Sequence, residues 1–192
     1  MQVKRTLLLL AAFLLSGAST DQDVPLRLVA AARAQVGVTV IYDPTYRPLA
    51  YPGGDVPLDR GVCTDVLIRA YRAIGLDLQV AVHEDMRQAW ADYPRLWGLS
   101  RPDTNIDHRR VPNLVAYLKR HGAIAQLSDD PDAYRPGDLV TWKLPSGVPH
   151  IGLVSDHHRG HIPLIIHNIG AGTKEDDILF AYERTGHFRL IP

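Results

Sequence analysis

The spacing of apolar residues changes near Gly122, from a helical period before it to a strand period after it. Before Gly122, apolar side chains recur every three or four residues, which predicts amphipathic helices. We expect these helices over residues 25–37, 62–74 and 112–121, with a further helix over roughly 80–91. The first half of the chain is therefore predicted to be helical.

Beyond Gly122, β-branched residues gather in short runs, which predicts the strands of a largely antiparallel sheet. The runs are 124–127, 139–144, 150–155, 162–169 and 187–191. Helices followed by strands indicate an α+β fold with the N-terminal helices packed on the sheet. Residues 38–60 are rich in Pro, Gly and Tyr, so we expect a long ordered loop ahead of the second helix.

Residues 1–18 have the layout of a secretory signal peptide, because Lys4 and Arg5 precede an apolar run that ends in small residues. That run is shorter than the roughly 18 apolar residues of a membrane-spanning helix. We therefore predict an exported protein, periplasmic or secreted, that is cleaved near Ala18 and has no stable membrane insertion. The remaining length suits a single domain over 19–192.

The charge and the cysteine content of the chain reduce the number of possible function classes. The full chain has 21 basic and 21 acidic residues, and a nearly neutral chain without a basic block lacks the electrostatic footprint of a nucleic-acid-binding protein. We expect no nucleic-acid partner. Cys63 is the one cysteine in the sequence, so an intramolecular disulfide is excluded. Its thiol is either inert or used in chemistry.

Cys63 falls in the first turn of a predicted helix, and a helix N-terminus with an imidazolium nearby lowers a thiol pKa. His150 opens an apolar strand directly after a turn, so we expect it to act as the base. A third polar group must orient the imidazole. The next strand offers His167 and Asn168 on opposite faces, and we expect His167, with Asn168 as the alternative.

Substrate and oxyanion contacts are expected from the segments that flank the cysteine and from the entry to the fourth helix. The backbone N–H of Cys63, with Tyr51 or Asp59 from the preceding loop, is the expected oxyanion site. Arg109 or Arg110 is expected to hold a substrate carboxylate through a bidentate contact. The alternative is that both arginines belong to an ordinary polar entry to that helix.

Metal and serine chemistry are not favoured. His157, His158 and His161 lie close together in one loop, but their spacing is not that of a zinc site, and solvated hairpin histidines are the expected interpretation. A Gly-x-Ser-x-Gly elbow is missing from the sequence, which argues against a serine hydrolase. We expect no metal and no cofactor.

The residues around these positions resemble NlpC-type papain-like peptidases of bacterial cell walls. The resemblance rests on residues 61–75, 136–142, 150–154 and 165–167, although Val62 stands where that family has Asp before the cysteine. In the family the cysteine opens a helix, the histidine opens a strand, and a third polar residue follows on the next strand. Cys63, His150 and His167 match those positions, which implies a papain-like fold.

Over residues 25–191 the chain is also similar to the bacterial domain of unknown function family 1287, through blocks at 51–57, 105–113 and 167–170. Together the resemblances imply an exported cysteine hydrolase that cleaves amide bonds of peptidoglycan stem peptides, as an endopeptidase or amidase. The partner would be peptidoglycan or its peptide fragments. The alternatives are a catalytically inactive cell-wall binding module and a papain-like acyltransferase acting on another amide.

Overall fold

The computed structural model describes residues 23–192, so the predicted signal peptide, residues 1–18, lies outside the described residues. The described part contains four α-helices. They are α1 (Asp23–Arg33), α2 (Cys63–Ala73), α3 (Leu78–Gln88) and α4 (Val111–Arg120). Within residues 23–192, none of the helices combines the length and apolar character needed to cross a bilayer.

Eight strands are present in the described residues. A two-stranded parallel pair is formed by β1 (Ile41–Tyr42) and β2 (Arg60–Gly61). The main sheet contains β3 (Ile124–Ala125), β4 (Leu139–Lys143), β5 (Pro149–Arg159), β6 (Ile162–Asn168), β7 (Thr173–Asp176) and β8 (Glu183–Phe188). Its strand order is β3-β8-β4-β5-β6-β7, with every neighbouring pair antiparallel. The predicted α+β class, with helices followed by an antiparallel sheet, is confirmed.

Successive side chains of a strand point to opposite faces of the sheet. The helices cover one of the two faces of the main sheet. Ile151 and Leu153 of β5 belong to the large core that α1, α2, α3 and α4 share. Val154, the next residue on β5, belongs instead to a smaller core with Trp142 and Leu179 on the opposite face. Helix α2 is buried along most of its length, so the fold holds the helix of Cys63 firmly against the sheet.

The loop predicted over residues 38–60 contains one feature that periodicity did not indicate. Its two ends meet as strands β1 and β2, where Tyr42 pairs with Gly61. The loop therefore closes directly ahead of α2, and Tyr42 is brought to the start of the helix that carries Cys63.

Strand β7 was not predicted, and the last strand begins earlier than expected. β7 has the sequence Thr-Lys-Glu-Asp, which lacks the β-branched pattern on which a strand prediction rests. β8 ends at Phe188 because Arg189 turns to bind the buried carboxylate of Asp138, at 2.7 Å. His187 Nε2 donates to the same carboxylate at 2.7 Å, so Asp138 anchors the end of the chain to the turn before β4.

Candidate active site

Cys63 begins α2 and is 6% exposed. The helix start is held by Asp65, whose Oδ2 accepts a hydrogen bond from the backbone N–H of Val62 at 2.7 Å. The backbone N–H groups of Cys63, Thr64 and Ile151 lie against the thiol and act to lower its pKa. Burial outweighs them and, with a smaller contribution from the charge of Asp65, raises the pKa of Cys63 to about 11. The thiol is therefore protonated at rest, whereas the sequence led us to expect a lowered pKa.

His150 and His167 form a buried pair across β5 and β6. His150 Nε2 lies 3.0 Å from His167 Nδ1, and the two rings meet edge to face. Trp142 covers His150 with a ring-centre separation of 5.8 Å. Burial lowers the pKa of His150 to about 3 and that of His167 to about 4. Both imidazoles are accordingly neutral near pH 7.

The Cys63 thiol lies beside the segment of β5 that carries His150, at one end of the β5–β6 ladder. The regular pairing at this end stops at Leu153 and Ile166, so His150 lies beyond it. Ile151, the residue after His150, turns its backbone N–H toward the Cys63 thiol. The helix start is thus placed directly beside the strand segment that carries His150.

The two candidates for the third position have different contacts. His167 is the one that contacts His150. Asn168 is fully buried; its Nδ2 donates to the Gly61 carbonyl at 3.0 Å and its Oδ1 accepts from the Gly170 N–H at 3.2 Å. Asn168 therefore ties the end of β6 to the segment that leads into Cys63.

A cavity of about 320 Å³ opens beside Cys63. It is lined by Tyr42, Pro44, Val62, Cys63, Trp97, Ile106, Arg109, Arg110, Val111, Pro112, Val148 and Pro149. The cavity therefore reaches from the start of α2 to the start of β5, which carries His150. Its walls are mainly apolar, with one phenol and two guanidinium groups, so it suits an organic ligand with an anionic group.

Tyr42 is a site residue that the sequence did not reveal. Its pKa is raised, first by burial and then by the neighbouring charges of Cys63 and Asp65, and Tyr42 lines the same cavity as Cys63. The short parallel pairing of Ile41–Tyr42 with Arg60–Gly61 brings Tyr42 to this position beside α2. So short a pair carries no periodicity signal in the sequence.

The oxyanion candidates Tyr51 and Asp59 lie elsewhere, and neither lines the cavity beside Cys63. The Tyr51 hydroxyl donates to Glu84 of α3 at 2.9 Å. The Asp59 carboxylate accepts from the guanidinium of Arg60 at 3.1 Å. The loop turns toward α3 because the Gly54 N–H donates to Gln79 at 2.9 Å, and this carries Tyr51 away from the thiol.

Arg109 lines the cavity, but its guanidinium is engaged behind the site. Nε and Nη2 donate to the two carboxylate oxygens of Asp65 at 2.8 and 2.9 Å. The remaining contacts go to the carbonyls of Thr45 and Asp43, each at 3.2 Å. Arg109 thus makes its bidentate contact with Asp65, in place of the substrate carboxylate that we expected from the sequence.

Arg110 faces the cavity in a different way. Its guanidinium carbon lies 4.0 Å from the centre of the Trp97 ring, and Nη1 donates to Asp107 at 3.2 Å. Asp107 is itself 1% exposed, and burial raises its pKa. Trp97 and Asp107 hold the guanidinium in one orientation while leaving part of its donor set open to the cavity.

Of the three histidines expected in a loop, His157 and His158 lie at the end of β5 and His161 lies in the turn that follows it. His157 Nδ1 lies 3.3 Å from Glu175 Oε2. Within residues 23–192, His, Cys, Asp and Glu side chains form no cluster of three or more that could hold a metal ion.

The sequence matches a family model described as Domain of unknown function (DUF1287) over residues 29–190. A relative from Escherichia coli (strain K12), Uncharacterized protein YijF, is 54% identical over 161 residues, which cover 83% of this chain and 78% of the relative. Among solved structures, that of NlpC1 from Trichomonas vaginalis aligns with a TM-score of 0.45 and 15% identity. That alignment covers 86% of this chain, which spans 43% of the NlpC1 chain.

Proposed function

Because the chain belongs to the DUF1287 family, whose description names no activity, we propose a function from the site: a cysteine hydrolase of amide bonds. The observation that carries the proposal is the hydrogen bond of 3.0 Å between His150 and His167, at the strand end that touches the Cys63 thiol. A nucleophile, a base and a group that orients the base are the parts that acyl transfer requires.

The reaction begins with Cys63 and His150 both uncharged. Cys63 Sγ attacks the carbonyl carbon of the scissile amide as its proton passes to His150 Nδ1. With a thiol pKa of about 11 and an imidazole pKa of about 3, charge separation before attack is strongly disfavoured. Attack and proton transfer therefore proceed together, and the negative charge forms on the carbonyl oxygen.

The developing oxyanion is stabilised by the backbone N–H of Cys63 and the hydroxyl of Tyr42. The first N–H groups of a helix have no partner within the helix and carry its partial positive charge. His150 then returns its proton to the leaving amine, and a thioester on Cys63 remains. Water attacks this thioester, His150 takes one water proton and returns it to the thiolate, and a carboxylic acid leaves.

The proposed substrate is a peptide with a free carboxylate close to the scissile bond. Of the two arginines that line the cavity, Arg109 is bound to Asp65, whereas the guanidinium of Arg110 is held by Trp97 and Asp107. Peptidoglycan stem peptides carry such carboxylates, and the layout of residues 1–18 supports export toward the wall. We assign the protein to the hydrolysis of stem-peptide amides in the periplasm or outside the cell.

A second candidate function has one observation in its favour. The Cys63 thiol is buried and its pKa is raised, which also suits a module that binds cell-wall peptide without cleaving it. Purified peptidoglycan fragments incubated with the protein and with Cys63→Ala separate the two by mass spectrometry. New fragments with the wild type alone support the hydrolase, whereas binding by both proteins without new fragments identifies the binding module.

A further inference from the structure

His167 has one ring nitrogen with a partner and one without. Nδ1 faces His150 at 3.0 Å, but Nε2 is buried and has no hydrogen-bond partner within the described residues. The nearest acidic group to Nε2 is Asp176 Oδ2 on β7, at 3.6 Å. That separation is too long for a hydrogen bond of ordinary geometry but short for the interaction of a charge with an N–H dipole.

Two arrangements of protons are possible for the neutral histidine pair. In the first, His150 Nε2 donates to His167 Nδ1, so His150 Nδ1 is bare and His167 Nε2 carries a proton. In the second, His167 Nδ1 donates to His150 Nε2, so His150 Nδ1 carries a proton. Only the first leaves His150 Nδ1 able to accept a proton from Cys63, because a base must present a free lone pair.

Asp176 discriminates between these arrangements. In the first, its carboxylate faces the N–H of His167 Nε2, which is attractive. In the second, it faces a bare lone pair on the same nitrogen, which is repulsive. Lys174, the pairing partner of His167 on β7, acts in the opposite direction on the His167 pKa, and its effect is smaller than that of Asp176.

The acidic residues on either side of Asp176, Glu175 and Asp177, have other partners, whereas Asp176 is available to interact with His167. Glu175 forms an ion pair with Arg33 at 2.9 Å, and Asp177 lies 3.4 Å from Arg159. In the described part of the chain, Asp176 has no Lys or Arg partner at ion-pair distance. Its strand is clamped in place by the Thr173 N–H, which donates to the Thr39 carbonyl at 2.7 Å.

We propose that Asp176 is a positioning residue that selects the proton arrangement in which His150 can act as the base. The inference rests on the proposed function, since it assigns Asp176 a role through His167 and His150. Asp176 touches neither the thiol nor the cavity beside it, so its effect is expected on the chemical step and not on substrate binding.

Three variants test the assignment in the full-length protein. Asp176→Ala removes both the charge and the acceptor, and Asp176→Asn removes the charge but keeps an acceptor oxygen. Asp177→Asn is the matched control, because it neutralises the adjacent acid, which faces Arg159. Circular dichroism checks that each variant is folded. The ¹⁵N NMR signals of the His167 ring report its proton arrangement without any substrate.

In the wild type and in Asp177→Asn, we expect His167 to carry its proton on Nε2. In Asp176→Ala, we expect the competent arrangement to become the minor one and kcat to fall roughly tenfold at unchanged KM, because only that fraction can accept the proton of Cys63. Asp176→Asn should lie between them. The acidic limb of the pH–rate profile should also move to lower pH in Asp176→Ala, because a lost negative charge lowers the pKa of the imidazoles.

A wild-type proton arrangement on His167 in Asp176→Ala would overturn the inference, and so would a fall in kcat of equal size in Asp177→Asn. If the wild type itself hydrolyses no peptide, the proposed function fails. The NMR comparison of Asp176→Ala with Asp177→Asn then decides the role of Asp176 on its own.

Discussion

Asp65 and Arg109 form a buried, bidentate ion pair directly behind Cys63, at 2.8 and 2.9 Å, and each side chain is 2% exposed. Asp65 also caps the start of α2 through the Val62 N–H. Arg109 in turn holds the carbonyls of Asp43 and Thr45 in the loop that carries Tyr42. One ion pair therefore connects the nucleophile's helix to the wall of the cavity.

Replacing one partner of this ion pair should destabilise the protein more than replacing both partners together. Arg109→Leu leaves the Asp65 carboxylate buried without a counterion, which costs about 3–5 kcal/mol in the free energy of unfolding. The double variant Asp65→Asn with Arg109→Leu should recover part of that loss. Urea denaturation measures both. Equal stabilities for Arg109→Leu and wild type would contradict the structural role given to this arginine.

Arg110 should affect substrate binding and not the chemical step. Replacing it by Gln removes a charge-assisted contact worth about 1.5–3 kcal/mol, so we expect KM to rise roughly 10- to 100-fold at similar kcat. Arg87→Gln is the control, because Arg87 is an exposed arginine whose ion-pair partner is Glu84. A loss confined to kcat in Arg110→Gln would rule out the carboxylate contact.

The raised pKa of Cys63 should be visible in its reactivity. Below a thiol pKa of about 11, the thiolate fraction rises about tenfold for each pH unit. We expect the rate of alkylation by iodoacetamide to climb steadily between pH 5 and pH 10. Because Cys63 is the one cysteine in the sequence, intact-mass measurement reads this rate directly. A plateau above pH 6 would instead indicate a thiolate–imidazolium pair at rest.

Acid should destabilise the fold through its buried histidines. Burial lowers the pKa of His150 to about 3, and those of His108 and His167 to about 4, from an ordinary value of 6.5. The unfolded chain therefore binds these protons at a higher pH than the folded protein does, so stability falls as the pH drops below 6.5. By pH 4 the loss is on the order of 2–3 kcal/mol for each histidine.

The raised pKa of Asp107 acts in the opposite direction, whereas the lowered pKa values of Asp85, Asp138 and Glu175 act in the same direction as the histidines. Thermal unfolding followed by circular dichroism at pH 7, 5.5 and 4.5 measures the balance. We expect Tm to decrease steadily over this series. An unchanged Tm across it would contradict a net loss of stability in acid from these buried neutral imidazoles.

The features that could be predicted from the sequence are those that depend on a pattern of neighbouring residues. The helix of Cys63 follows from apolar spacing, and the strands of His150 and His167 follow from β-branched runs, so the α+β class could be predicted. The placement of Arg109 could not, because its partner Asp65 lies 44 positions away, and only the folded chain shows which of two adjacent arginines is enclosed.

Tyr42 and Asp176 escaped prediction for a related reason. Tyr42 lies on a strand of two residues whose pairing partner is distant in the sequence. Asp176 lies on a short strand of mostly polar composition. Such strands are selected by tertiary pairing and not by intrinsic propensity. Tyr51 was expected at the oxyanion site because it precedes Cys63 along the chain, but hydrogen bonds between its loop and α3 carry it elsewhere.

The most direct test of the account is digestion of peptidoglycan fragments in H₂¹⁸O, with wild type, Cys63→Ala and His150→Ala compared by mass spectrometry. Hydrolysis through a Cys63 thioester predicts new products that carry one ¹⁸O in the released carboxylate, formed by the wild type and lost in both variants. General base catalysis is worth about a hundredfold to ten-thousandfold, so little product should form with His150→Ala. The same labelled products at wild-type rates from either variant would contradict the assignment of nucleophile and base.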